Sequence, residues 1–161
     1  MHNKIEQSLR QFAELRHVAI DASSMIYLHK LGLLRELGTT LLLGTTADVW
    51  AETSFTSSDV AIQIFPAPPA SSPDEQLLHL AMSNKWAMLS EDKKLLLRAQ
   101  KGGIPYFNTL MMILFLFFKG RVSEDSVRVN IASLKKIARY GPEIWNYGNR
   151  LFLQLQKQNR E

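Results

Sequence analysis

The 161-residue chain predicts an α/β fold of three layers, helices on both faces of a central parallel sheet, with extra helices at the C-terminal end. Three observations carry this. Short, wholly apolar runs of strand length recur along the chain. Segments with apolar residues at helical spacing separate them. An acid or a hydroxyl residue stands where most of these runs give way to a helix. Strands that alternate with helices in this way build βαβ units, hence a parallel sheet covered on both sides. The length suits one domain, residues 1–161, with an N-terminal helix over 1–16, a core over 17–120 and a basic helical tail over 121–161. A composition of 46% apolar and 21% charged residues is ordinary for a globular chain.

Taken in order, Ile5, Leu9, Phe12 and Ala13 recur at helical spacing and predict a helix over Asn3 to Leu15. Val18-Ala19-Ile20 reads as a buried strand ending at Asp21. Ser23 and Ser24 are candidate caps for one helix running to Gly38, with Met25, Ile26, Leu28, Leu31, Leu34 and Leu37 as its apolar face. Leu41-Leu42-Leu43 is the second strand. Thr46 or Asp48 then caps a helical turn bearing Glu52. Ala61 to Phe65 alternates weakly, as an edge strand does, and a proline-rich loop over 66–73 precedes a helix starting at Asp74. Trp86 to Leu89 reads as a strand, Glu91 to Gln100 as a helix stopped by Gly102-Gly103, and Ile104 to Phe107 as the last strand. Helices over Leu110 to Lys119, Glu124 to Tyr140 and Pro142 to Lys157 complete the chain.

Composition excludes several chemistries. With no cysteine there are no disulfides, thiolate metal sites, iron–sulfur clusters or cysteine nucleophiles. The charged stretch Met1 to Arg16 has no secretory h-region, and the longest apolar run, Leu110 to Phe118, is half of what a membrane span needs. The expectation is a cytoplasmic protein with no membrane partner. The net charge of +4 is uneven: residues 1–120 hold eleven Lys/Arg against eleven Asp/Glu, whereas 121–161 hold eight against four. A neutral body with a basic tail can meet a polyanion through the tail, although a solvated helix face has the same composition.

Four carboxylates share one kind of position. Asp21 ends the first strand, Glu52 lies just past the second, Asp74 opens the helix after the proline loop, and Asp92 follows the strand ending at Leu89. In a parallel sheet the strand C-termini lie on one edge, where ligand sites of open α/β folds form. Carboxylates gathered there stay ionised together only around a cation. All-oxygen ligation without His or Cys selects magnesium or manganese over zinc. Such an ion acidifies a water and neutralises phosphate charge, which favours phosphodiester hydrolysis. Each acid taken singly is equally at home as a helix cap or a surface charge. Only the set points to chemistry.

The string Val18-Ala19-Ile20-Asp21-Ala22-Ser23-Ser24-Met25-Ile26-Tyr27-Leu28, running into Leu31-Gly32-Leu33-Leu34, resembles the opening of a PIN domain, the nuclease fold of VapC-type toxins. Val49-Trp50-Ala51-Glu52 resembles the second-acid segment of that family. Asp74 to Ala81 is similar to the helix of the third acid, and Leu89-Ser90-Glu91-Asp92-Lys93-Lys94-Leu95 to the segment of the fourth. Gly103-Ile104-Pro105 opens the last strand as in the family. The resemblance spans roughly residues 17–120, and the tail is similar to the C-terminal helices of an uncharacterised PIN subgroup. It implies a three-layer PIN-like fold and a metal-dependent endoribonuclease. Asp21, Glu52, Asp74 and Asp92 would be both catalytic and metal-binding residues for Mg2+ or Mn2+, with Ser23 and Ser90 supporting. Glu75 is the competing choice for the third acid; Asp74 is preferred because it stands seven residues before Ala81. Ser90 replaces the family's usual Thr and keeps its hydroxyl. The resemblance further implies RNA as substrate and a small antitoxin protein as a possible partner. The alternative function is a non-catalytic PIN-fold module that binds protein or RNA.

Other features have two readings each. Lys93, Lys94, Arg98 and Lys101 can contact phosphates or form a solvated face. The all-round apolar helix of Leu110 to Phe118 suits a buried core or a homodimer interface. Tyr140, Trp145 and Tyr147 near basic residues can stack on bases or pack in the core. His2, His17, His29 and His79 show no metal-type pairing.

Overall fold

In the computed structural model the described residues are 3–56, 62–67 and 71–160. Ala61 of the expected edge strand, residues 68–70 of the proline loop, and His2 lie outside them. The chain divides into two compact units, a sheet unit of Leu15–Thr109 and a helical unit of Met1–Glu14 with Leu110–Glu161.

The sheet unit has five strands, β1 (His17–Ile20), β2 (Leu42–Thr46), β3 (Ile62–Phe65), β4 (Ala87–Leu89) and β5 (Tyr106–Phe107). Every pairing is parallel, in the order β3-β2-β1-β4-β5. This is the α/β class the sequence predicts, a central parallel sheet flanked by helices. The register pairs Ala19 with Gly44 on one side and with Met88 on the other. Val18, Ala19, Ile20, Met88 and Leu89 lose all contact with water. That is why the two central strands read as unbroken apolar runs rather than alternating ones. The chain builds outward from β1 to β3, then returns to place β4 on the other side of β1. The topological switch point therefore falls between β1 and β4, and the crevice beyond their C-terminal ends is the expected ligand position.

Helices α2 (Ala22–Lys30), α3 (Leu34–Thr40), α4 (Ala47–Glu52), α5 (Pro73–Asn84) and α6 (Lys93–Lys101) complete this unit. Two local expectations are corrected. The helix after β1 is capped by Asp21 rather than by Ser23 or Ser24: the Asp21 carboxylate accepts from the Ala22 N–H at 2.9 Å. That helix also does not run on to Gly38. Gly32 takes φ +74°, a left-handed turn that breaks it into α2 and α3. Of the two candidate caps of α4, Thr46 and not Asp48 takes the position, and Gly103 at φ +76° closes α6.

The helical unit holds α1 (Asn3–Glu14), α7 (Thr109–Phe118) beyond its first residue, α8 (Glu124–Lys135) and α9 (Pro142–Asn159). The Phe12 ring lies 5.5 Å from Phe115 and 5.6 Å from Phe118, so α1 packs on α7. The Tyr147 hydroxyl of α9 donates to the Lys4 carbonyl at 2.8 Å and also bonds the Ser8 hydroxyl, which ties α1 to α9. Gly148 lets α9 approach α7 closely: a Cβ there would come within 2.7 Å of a Leu110 methyl. Residues 112–117 of α7 are all buried, so the all-round apolar run is core rather than an open face. The helix over Glu124 to Tyr140 ends early, at Lys135. Among the described residues, no helix is long and apolar enough to cross a membrane.

Candidate functional site

The site is built at the crevice between β1 and β4. Asp21 stands directly after β1, its N–H bonded to the Leu89 carbonyl at 2.9 Å. Its side chain is buried, and each carboxylate oxygen has one fixed partner. Oδ1 accepts from the Ala22 N–H, and Oδ2 accepts from the Ser90 hydroxyl at 2.7 Å. Ser90, fully buried after β4, also accepts from the Asp92 N–H at 3.0 Å. One serine thus bridges the first and fourth acids of the set, which are 71 positions apart. A carboxylate offers about four lone-pair positions, so these contacts orient Asp21 without exhausting it.

Asp92 caps α6, one oxygen accepting from the N–H groups of Lys94 at 2.9 Å and Leu95 at 3.4 Å. Ser72 caps α5, accepting from the Glu75 N–H at 3.2 Å and donating to the Glu75 carboxylate at 3.2 Å. Both contacts engage Glu75 at the helix start. Asp74, the second residue of α5, is left exposed beside it.

The electrostatics link the four acids. Burial is the main force raising the Asp21 carboxyl above the ordinary carboxylate value. The hydrogen bonds from Ser90 and Ala22 oppose it, and the charges of Asp74 and Asp92 add to it. Glu52, exposed at the end of α4, is raised first by partial loss of water and then by Asp21, Asp74 and Asp48. Asp21 therefore feels Asp74 and Asp92, and Glu52 feels Asp21 and Asp74. Among the described residues no Lys or Arg forms an ion pair with any of the four. Among the same residues, no three His, Asp or Glu side chains are already gathered tightly enough to hold one ion. Magnesium does not require that, because it is usually held by one or two carboxylates and keeps several of its waters.

Ser23 accepts from the Glu91 N–H at 3.4 Å and so joins the start of α2 to the β4–α6 loop. Lys93, Lys94 and Arg98 are exposed along α6, beginning beside Asp92. His17 stacks on Trp86 at 5.3 Å, His29 packs against Phe55 at 5.0 Å, and His79 meets Ser83 at 3.3 Å.

Two residues were not read from the sequence as part of the site. Glu91, passed over beside Asp92, accepts from the Ser24 hydroxyl, the Thr109 hydroxyl at 2.8 Å and the Thr109 N–H at 3.1 Å. It fixes the loop that carries Ser90 and Asp92. Asp48 accepts from the Gln76 amide at 2.9 Å and adds charge near Glu52. Its placement four residues before Glu52, on the same helical face, was the available signal. Compared with known proteins, the sequence matches no protein-family model, and no curated protein matches it.

Proposed function

We propose that the chain is a metal-dependent endoribonuclease of PIN type, hydrolysing RNA phosphodiester bonds at the β1–β4 crevice. The observation that carries this reading is the environment of Asp21. A buried carboxylate at the switch point of the sheet has acids, not cations, as its charged neighbours. Among the described residues no Lys or Arg pairs with these acids, and like charges left so are costly unless a cation joins them. The donor set fits a hard divalent ion: it is all oxygen, with lone pairs still free on Asp21. Asp21, Glu52, Asp74 and Asp92 would hold one or two Mg2+ or Mn2+ ions. Once bound, such an ion supplies an acidified water and neutralises charge on the phosphate.

The protein's own residues position and select. Ser90 holds the Asp21 carboxylate in one orientation and fixes the Asp92 backbone. Glu91 and Ser23 hold the loop that carries them. A carboxylate of the set orients the attacking water and accepts its proton. Because Asp21 and Glu52 are both raised, protons compete with the ion, and activity falls on the acid side as these groups protonate.

The test is calorimetry with Mn2+ together with cleavage of structured and single-stranded RNA. The intact chain should bind the ion and cut RNA, and Asp21→Asn should lose both. Unchanged cleavage by Asp21→Asn overturns the assignment, and no ion binding by the intact chain favours the non-catalytic module. A cytoplasmic toxin role with a small antitoxin rests on the family resemblance. It predicts that expression of the intact chain slows growth and that Asp21→Asn relieves this.

A further inference from the structure

We propose that the helical unit carries a binding surface for single-stranded nucleic acid, formed where α8 leads into α9 by Lys135, Lys136, Arg139, Tyr140 and Trp145. This goes beyond the catalytic reading, because it uses residues of the other unit and stands on separate observations.

The first observation is how charge divides between the units. The helical unit has eleven Lys/Arg against six Asp/Glu, while the sheet unit has eight against nine. The second is which charges are already spent. Glu124 pairs with Arg128 at 3.1 Å and Arg160 at 3.8 Å, and Asp125 pairs with Arg128 at 3.3 Å. Glu143, exposed at the start of α9, has no ion-pair partner among the described residues and stands as one negative charge beside this surface. Lys135, Lys136 and Arg139 are exposed, and among the described residues none has a carboxylate partner. Three unpaired cations in five residues, set against the one carboxylate of Glu143, leave a net positive patch that favours polyanions.

The third observation gives the class of polyanion. Tyr140 and Trp145 lie 5.0 Å apart, centroid to centroid, and both residues are half-buried rather than enclosed in the core. The Lys135 ammonium lies 5.4 Å from the Trp145 centroid. It is held next to the ring by cation–π attraction at the end of a flexible stem. Moving that ammonium onto a phosphate uncovers the indole face for a base. Cations that track a backbone beside aromatic faces that stack bases are the two components of single-strand recognition. A duplex keeps its bases stacked on one another and offers these rings nothing. Tyr147 does not belong to the surface, since its hydroxyl holds α1 to α9.

The experiment is fluorescence anisotropy of the full chain with a labelled single-stranded RNA oligonucleotide. A chelator is present, so that no cleavage occurs and the result is independent of the metal site. Binding should weaken with salt, and the triple variant Lys135→Gln, Lys136→Gln, Arg139→Gln should flatten the log–log salt slope by about 2, at roughly 0.7 per phosphate on a single strand. Trp145→Ala should weaken binding by about tenfold, while Trp145→Phe, which keeps a stacking face and guards against a folding defect, retains most of it. Circular dichroism checks that each variant is folded. The proposal is overturned if the oligonucleotide does not bind, or if the triple variant binds as well as the parent. It is also overturned if duplex RNA or inorganic polyphosphate competes as well as the single strand, since charge alone would then explain binding.

Discussion

Ser90→Ala is the most informative single change at the crevice. Ser90 has no exposed surface, and its hydroxyl donates to the buried Asp21 carboxylate at 2.7 Å. A hydrogen bond to a charged group contributes about 1.5–3 kcal/mol. The bond that Ser90 accepts from the Asp92 N–H is lost in the same variant and adds a part that does not depend on pH. The expected loss is therefore about 2 kcal/mol at neutral pH, or about 4–8 °C in Tm for a chain of this size. The pH dependence tests the cause. Asp21 is raised above 3.8 in the folded state, so that state holds more protons than the unfolded chain just above that pH, and metal-free stability falls as pH rises through this window. The Ser90 bond lowers the Asp21 value, so its removal raises that value further. The cost should be full where Asp21 is ionised and should shrink as pH falls into the ordinary carboxylate range. Urea unfolding of the metal-free protein at neutral pH and near pH 4 measures this, with Ser90→Thr restoring the hydroxyl. Equal destabilisation at both pH values would refute the reasoning, as would identical behaviour of the Ala and Thr variants.

Three further changes test the packing. Gly44→Ala places a Cβ 2.8 Å from Trp86 Cζ3 and 2.9 Å from Phe65 Cε2. Two rings must move, and urea unfolding should show a loss of about 1–3 kcal/mol. The buried Thr45 hydroxyl has no hydrogen-bond partner among the described residues, so Thr45→Val should leave stability unchanged or raise it by about 1 kcal/mol. A clear loss in thermal melting would show that the hydroxyl is used. Phe12→Ala removes a fully buried ring packed on Phe115 and Phe118, and should cost about 3–5 kcal/mol. Its effect should be concentrated in hydrogen-exchange protection of α1 and α7, and uniform protection loss would count against that packing.

Much of the sheet was legible because a strand buried on both faces must be apolar throughout, as Val18-Ala19-Ile20 and Ala87-Met88-Leu89 are. The helix starts were less legible. Asp21, Ser23 and Ser24 are all competent caps, and only the backbone at Asp21, extended at φ −82° and ψ 158°, decides which one acts. The break at Gly32 was missed because the apolar spacing continues across it. A left-handed glycine interrupts a helix without disturbing the pattern of the side chains around it. At the crevice, the contact of Ser72 with Glu75 at the start of α5 was not legible either, since the spacing of Asp74 and Glu75 carries no mark of it.

By itself the sequence determined most of the strands and helices and that Asp21 and Asp92 follow strands, because periodicity and capping act over a few residues. Only the tertiary structure decided the strand order β3-β2-β1-β4-β5, and with it that the loop after β4 lies beside Asp21. The Ser90–Asp21, Glu91–Thr109 and Gln76–Asp48 contacts follow from that order or from helix packing. Hydrogen bonds between distant segments leave no periodic trace in a single chain. They exist only once the hydrophobic core has fixed which elements are neighbours.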